Sequence, residues 1–198
     1  MTAKEKFIET VSKNIKRAGI NHLMEWLETT DFYSAPASTK FHGSHEGGLV
    51  EHSANVYTEL VKLAEVYGLG PDNGINNPDE SMAIVALFHD LCKADYYSIE
   101  MRWRKDKNDK WEQYPVYSIK EKFAYGGHGS KSVYLVQNFM ALTPEEASAI
   151  NCHMGQFDAT TYSNPSPVYE RNLLAWLLHV ADEAATYVIE NKEGTENG

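Results

Sequence analysis

His89 and Asp90 stand side by side near the end of the most apolar stretch of the chain, ALFHDLCK. Burying a carboxylate beside an imidazole is costly unless something pairs with both. One reading is a buried, hydrogen-bonded His–Asp pair. The other is a cation held by both, with Asp90 as a hard oxygen ligand and His89 as a borderline nitrogen ligand. The pair alone does not separate these readings. His52, in GGLVEHSANVY, falls three residues after Leu49 and four before Val56, so it shares their inward face. Asp182, in LLAWLLHVADEAATY, falls six after Trp176, three after His179 and four before Thr186, which turns it inward too. Three helices then each aim a ligand-type side chain at the interior, and coincidence weakens with each one.

Further candidates surround these. His128, in AYGGHGSKS, opens a helix, and His153, in AINCHMGQFD, closes one. Taken alone, the first suits a helix-capping loop and the second a helix C-terminus favoured by the dipole. Lys93 follows Asp90 by one turn, so its ammonium can reach the same cavity; the alternative is a lysine snorkelling from a helix end. His42 and His45, in FHGSHEGG, line the mouth of the site or belong simply to a loop. His22 reads as surface. His179 either supports the site from behind or makes a core hydrogen bond. Cys92 and Cys152 adjoin candidate ligands, but neighbouring helical side chains diverge by about 100°, so both read as small core residues.

The elements that must position these residues are mostly helical. Phe7, Ile8, Val11 and Ile15 mark a first amphipathic helix, with a short second one around Leu23 to Leu27 and a loop over 31–43. A long helix is expected from about Glu46 to Tyr67, stopped by Gly68 and Gly70-Pro71. SMAIVALFHDLCKA, apolar almost all round, is expected to be the central core helix. Over about 96–120 the pattern changes: YYSIEMRWR and KWEQYPVYSI favour strands and flank the polar turn KDKND, which predicts a protruding β-hairpin. Its Arg102, with Lys122 just beyond, and its interleaved aromatics could hold a phosphate and stack a base; the competing reading, ranked slightly ahead, is an amphipathic hairpin packed on the body or on a second copy in a homodimer. Helices resume from about Gly129 to Met140, again behind the cap signature Thr143-Pro144-Glu145-Glu146, and finally from Ser166-Pro167 to about Asn191. The whole of 1–198 is expected to be one domain: N-terminal helices and loop to residue 43, a catalytic core over 44–190, and a disordered tail over 191–198.

The order H…HD…D, in the contexts GGLVEHS, ALFHDLCK and HVADEAAT, resembles the HD-domain superfamily of metal-dependent phosphohydrolases over roughly residues 42–190. The GGLVEHS and HDLCK segments are most similar to those in the HD domain of bacterial 3′→5′ exoribonucleases. The resemblance implies an all-α helical bundle, here with the inserted hairpin, in which His52, His89, Asp90 and Asp182 are the defining metal ligands. It further implies that His128 and His153 complete a second site about 3.5–4 Å from the first, bridged by Asp90, or touch substrate phosphate, and that Lys93 neutralises that phosphate. Asp90 and Asp182 would orient the attacking water and take up its proton. The mixed donor set favours Mn²⁺ or Fe²⁺, with Zn²⁺, Ni²⁺ or Mg²⁺ as alternatives.

Composition sets the outer limits. With 42% hydrophobic and 23% charged residues, the sequence reads as a globular protein. The net charge of −10 disfavours duplex nucleic acid but not a small phosphorylated substrate such as a nucleotide, since a metal supplies the local positive charge. The longest apolar run, Leu173 to Ala181, is too short for a membrane span. The first residues lack a signal-peptide pattern and the two cysteines cannot make a disulfide framework, so cytoplasm is the expected compartment. The leading expectation is hydrolysis of a phosphate monoester or diester. A single-strand nuclease ranks below it, because no oligonucleotide-binding domain precedes the site in this sequence and the hairpin is inserted. A non-catalytic metal- and nucleotide-binding module and a di-iron oxygenase variant are the remaining readings.

Overall fold

The computed structural model describes residues 1–40, 42–120, 126–157 and 164–190. Lys122 and the tail over 191–198 fall outside them. The architecture is helical with one antiparallel β-hairpin, and its order follows from local signals. Helix α1 (Ala3–Asn14) starts at a reciprocal Thr2/Glu5 cap, and α2 (Ile20–Leu27) follows. The long helix α3 (Gly48–Tyr67) ends on left-handed Gly68, as expected, but starts two residues later than Glu46. Gly48 is required there because a Cβ would overlap the Gly43 carbonyl oxygen. The loop before α3 is thereby held tight against its first turn, with the Leu49 amide donating to Ala35 O at 2.9 Å.

Helix α4 (Pro78–Phe88) is buried from Glu80 to Phe88. Its Ala83, Ile84, Leu87 and Phe88 pack with α1 and α2 in one core, while Met82, Val85 and Ala86 pack with α3, α6 and α8 in another. It is the central helix, as its composition predicts. It does not run on through Ala94: the α-helix stops at Phe88, Asp90 turns to φ −104°, ψ 21°, and Leu91–Lys93 tighten into a 3₁₀ turn. A continuous helix would point His89 and Asp90 about 100° apart; the break lets both face one centre.

Strands β1 (Tyr97–Lys105) and β2 (Trp111–Ile119) pair antiparallel from Tyr97↔Ile119 to Lys105↔Trp111. The Asp106 carboxylate closes the turn by accepting the Asn108 and Lys110 amides at 2.8 and 2.9 Å. The outer hairpin stands in solvent, with Trp103 and Trp111 61% and 65% exposed, while its base packs against the loop before α3. Helix α5 (His128–Gln137) approaches α6 (Pro144–Cys152) so closely that a Cβ on Gly129 would lie 2.6 Å from Ile150 O.

The C-terminal segment is not one helix. Helix α7 (Ser166–Tyr169) is a single turn, and Asn172 then caps α8 (Leu173–Ala184), which continues as a π turn over Ala185–Ile189. Asn172 accepts the Ala175 amide and donates to Glu145 O at 2.9 Å; this side-chain capping displaces a continuous helix at that point. Among the described residues no helix is long and apolar enough to cross a membrane.

Candidate metal centre

Four helices bring ligand-type side chains to one buried place. His52 comes from the second turn of α3, His89 caps the C-terminus of α4 with Asp90 next to it, His153 caps α6, and Asp182 stands on α8. His52, His89, Asp90 and His153 are each no more than 3% exposed. His52 Nε2 lies 3.1 Å from Asp182 Oδ1 and 3.9 Å from Asp90 Oδ2. His89 Nε2 is 3.4 Å from Asp90 Oδ2, and His153 Nε2 is 3.5 Å from Asp90 Oδ1. Two trios of ligand atoms, His52/His89/Asp90 and His89/His153/Asp182, each lie within 4.8 Å of one another and share His89.

The outer ring nitrogens explain which way the inner ones present. His89 Nδ1–H donates to Ala86 O at 2.8 Å and His153 Nδ1–H donates to Ile150 O at 2.7 Å, each to the carbonyl three residues back on its own helix. His52 Nδ1 meets the Glu190 carboxylate at 3.1 Å. In the neutral ring, with Nδ1 committed as donor, each Nε2 is left as a lone pair directed inward. Those three Nε2 atoms and Asp90 Oδ1 are buried without a hydrogen-bond partner; even the close His52–Asp182 approach lacks hydrogen-bond alignment. Buried polar atoms are normally satisfied, so four orphans converging on one point call for a cation. Donors bound at about 2.1 Å to one ion sit roughly 3–4 Å apart, the spacing seen here, and the mixed nitrogen and oxygen set suits a divalent transition metal.

The electrostatics agree. Burial would raise Asp90, but the Lys93 ammonium with His89 and His153 holds it well below the usual carboxylate range. Burial likewise opposes ionisation of Asp182, and nearby His52 outweighs it, keeping the carboxylate ionised. At His52, burial works to lower the pKa, but the carboxylates of Asp182 and Glu190 push it up to about 10. A cation held by His52 Nε2 would take the place of that proton.

Other expected residues take varied places. Lys93 Nζ sits 2.6 Å from Asp90 Oδ2, at the edge of the centre. Asp90 therefore faces the histidines on one side and an ammonium on the other. His128, the first residue of α5, has Nδ1 3.4 Å from Cys92 Sγ and its ring at right angles to Tyr96, 5.9 Å between centroids; it belongs to neither trio of ligand atoms. Arg102 is exposed on β1, 3.6 Å from Glu100. His179 Nδ1–H donates to His153 O at 2.6 Å, so it buttresses the turn that carries a candidate ligand. His45 and His22 are exposed.

Two residues gain importance from the structure. Glu190, at the end of the π turn, accepts from His52 Nδ1 and from Asn55 Nδ2, the latter at 3.1 Å. Its spacing of eight residues from Asp182 was the available signal, since two helical turns return to the same face. His42 places its ring 4.9 Å from that of His52 and groups with His52 and Glu190. Burial, with His52 and Lys93 adding to it, lowers its pKa to about 4, so the ring is neutral near pH 7.

The fold and site define a helical protein with a buried histidine–carboxylate centre able to hold a metal ion. Among characterised proteins, the chain is 24% identical over 150 residues to a dihydroneopterin 2′,3′-cyclic phosphate phosphodiesterase of Methanocaldococcus jannaschii. The match covers 76% of this chain and 51% of that protein, so the chain spans about half the length of the relative it matches. No family model matches the chain, and no solved structure matches it.

Proposed function

We propose that the protein is a divalent-metal-dependent phosphohydrolase of the HD type that cleaves a phosphodiester in a small, nucleotide-like molecule. The observation that carries this reading is the convergence of His52 Nε2, His89 Nε2, His153 Nε2 and Asp90 Oδ1, all buried and unpartnered. The ion they suit supplies Lewis acidity to phosphoryl oxygens and makes water a nucleophile near neutral pH. The relative's activity on a cyclic phosphate favours a diester over a monoester. His52, His89, Asp90 and Asp182 hold the ion, with His153 completing the set. Mn²⁺ or Fe²⁺ is the preferred occupant. Asp182, 15% exposed at its side chain and so nearest to solvent among the carboxylates, orients the attacking water and takes its proton. Lys93 screens Asp90 at rest and neutralises charge on the equatorial phosphoryl oxygens as the bond breaks. His128, beside Cys92 and Tyr96, meets substrate or a second ion from the α5 side.

Protein purified without chelator and supplied with Mn²⁺ is expected to hydrolyse 2′,3′-cyclic nucleotides faster than the corresponding monoesters. His89→Ala is expected to lose both metal and activity. A protein that takes up no Mn²⁺, or that binds it and cleaves no phosphate ester, overturns the reading.

A further inference from the structure

A cleft of about 380 Å³ lies between the base of the hairpin and the loop before α3, walled by Asp31, Ser34, Glu46, Tyr97, Ile99 and Tyr117 among others. A second cleft of about 350 Å³ shares Ile99 and Tyr117 and extends it along the same loop. Both fall in the range of small-molecule sites. We infer that this cleft receives the heterocyclic ring of the substrate, and that it selects a 2-amino-4-oxopyrimidine edge such as guanine presents. The inference rests on the phosphate-ester reading of the metal centre and adds to it where the rest of the substrate lies.

Position comes first. Tyr97 belongs to both regions: its ring lines the cleft, while its phenol interacts electrostatically with Lys93 and Asp90 and lies 3.4 Å from Ala37 O. A phosphate beside Lys93 therefore has the cleft next to it, on the far side of one tyrosine. The backbone reinforces this placement. Asp95 adopts φ +55°, a left-handed conformation that costs a non-glycine residue energy, and it turns the chain from the Lys93 segment directly into Tyr96 and Tyr97. Asp31 secures that turn by accepting the Asp95 amide at 2.6 Å.

The walls then define the occupant. Tyr97 and Tyr117, with ring centroids 6.5 Å apart, and Ile99 offer aromatic and apolar surface to a planar ring. The charged groups among the described lining residues are the carboxylates Asp31 and Glu46, with no lysine or arginine. Ionised carboxylates only accept hydrogen bonds, so the cleft, whose Asp31 also feels Lys120 from outside the lining, rewards an edge with adjacent N–H donors. The N1–H and 2-amino group of guanine form such an edge; uracil has a single N–H between two carbonyls. Lys93 at one end and carboxylates at the other thus orient the substrate with its phosphate towards the metal ligands. Asp31, fixed by the Asp95 amide, is the preorganised acceptor, and Glu46 stands at the rim.

Two measurements on the Mn²⁺-loaded full chain test this. In the first, guanosine without phosphate is titrated by saturation-transfer NMR into wild type and Ile99→Trp. Ile99 is 65% exposed, so the larger side chain fills the cleft without entering the core. Wild type is expected to bind guanosine, and Ile99→Trp to weaken binding at least tenfold at unchanged metal content. In the second, kcat/KM is compared for guanosine and uridine 2′,3′-cyclic phosphates. Wild type is expected to favour guanosine at least tenfold, and Asp31→Asn, which turns half of the acceptor into a donor, to narrow that preference. Equal guanosine binding by wild type and Ile99→Trp, or none by wild type, overturns the assignment of the cleft. Absence of hydrolysis with guanosine binding intact and blocked by Ile99→Trp overturns the phosphate-ester reading and leaves the cleft standing.

Discussion

Glu190 reaches His52 across 138 residues of chain, and its carboxylate accepts a hydrogen bond from Nδ1–H, which holds a proton on that nitrogen. A ligand imidazole held by a carboxylate keeps its tautomer and orientation, and losing such a support commonly costs about 10–100-fold in metal affinity. Glu190→Ala is therefore expected to weaken Mn²⁺ binding by that factor, read by competition with a fluorescent chelator, while Glu190→Gln, which keeps an acceptor oxygen, recovers most of it. Unchanged affinity in Glu190→Ala would show that the contact orients nothing. The same residues set a pH dependence. His52 has its pKa raised from 6.5 to about 10 in the folded protein. Its contribution to the stability of the chelator-treated protein is thus complete below about pH 6.5 and lost as pH rises through about 10. Asp90 and Asp182 run the other way: their depressed pKa values add stability above the usual carboxylate range, lost on acidification. Metal uptake needs His52 deprotonated. Between pH 6 and pH 9 the metal-free Tm should fall while Mn²⁺ affinity rises, as calorimetry and chelator competition would record; a metal-free Tm that rises over this range contradicts the assignment.

The helices differ in how far their own sequence announces them. His52 and Asp182 could be placed inward from periodicity, and the His89-Asp90 pair from its position at the end of a helix apolar on every side. His153 was legible as a helix end, because the Thr143 cap signature fixes where α6 begins. The break after Phe88 and the division at Asn172 were not, since each depends on what the side chain meets: a shared centre for Asp90, the Glu145 carbonyl for Asn172. Glu190 was marked only by its spacing from Asp182, and His42 only by its place in the loop before α3; the folded chain alone brings both to His52. The tie between the N-terminal segment and α6 is also tertiary. Arg17 pairs with the fully buried Glu146 and with Glu80, and Ser81 donates to Glu146 at 2.7 Å. Burial opposes the charge on Glu146, and Arg17 holds it ionised. Removing one partner of a buried pair leaves the other uncompensated, at about 3–5 kcal/mol. Arg17→Ala should lose that much stability in urea unfolding, and Arg17→Lys, lacking the bidentate fork, should recover only part. A loss below about 1 kcal/mol, the range of exposed pairs, would mean that water reaches Glu146.

Across the whole molecule the centre acts as a fastener. His52, His89-Asp90, His153 and Asp182 come from α3, α4, α6 and α8, which carry the second core, while the first core, centred on α1 and α2, reaches the centre through α4 and through Leu49 and Val50 of α3. Metal-free, the four unpartnered atoms and closely set carboxylates are a cost borne by that junction; a bound ion satisfies them together. An ion that binds the folded state alone adds about 4 kcal/mol at 1,000 times its Kd. For a chain of this length each 1 kcal/mol moves Tm by roughly 2–4 °C. Chelation should therefore lower Tm by roughly 10 °C, and Mn²⁺ should restore it. His89→Ala should melt at a temperature indifferent to both treatments, since it removes the ligand shared by the two trios. Hydrogen exchange would locate the effect: chelation should expose amides around His89, His153 and Asp182 and leave those of α1 and α2 protected. An equal loss of protection in α1 and α2 would show instead that the cores unfold as one unit.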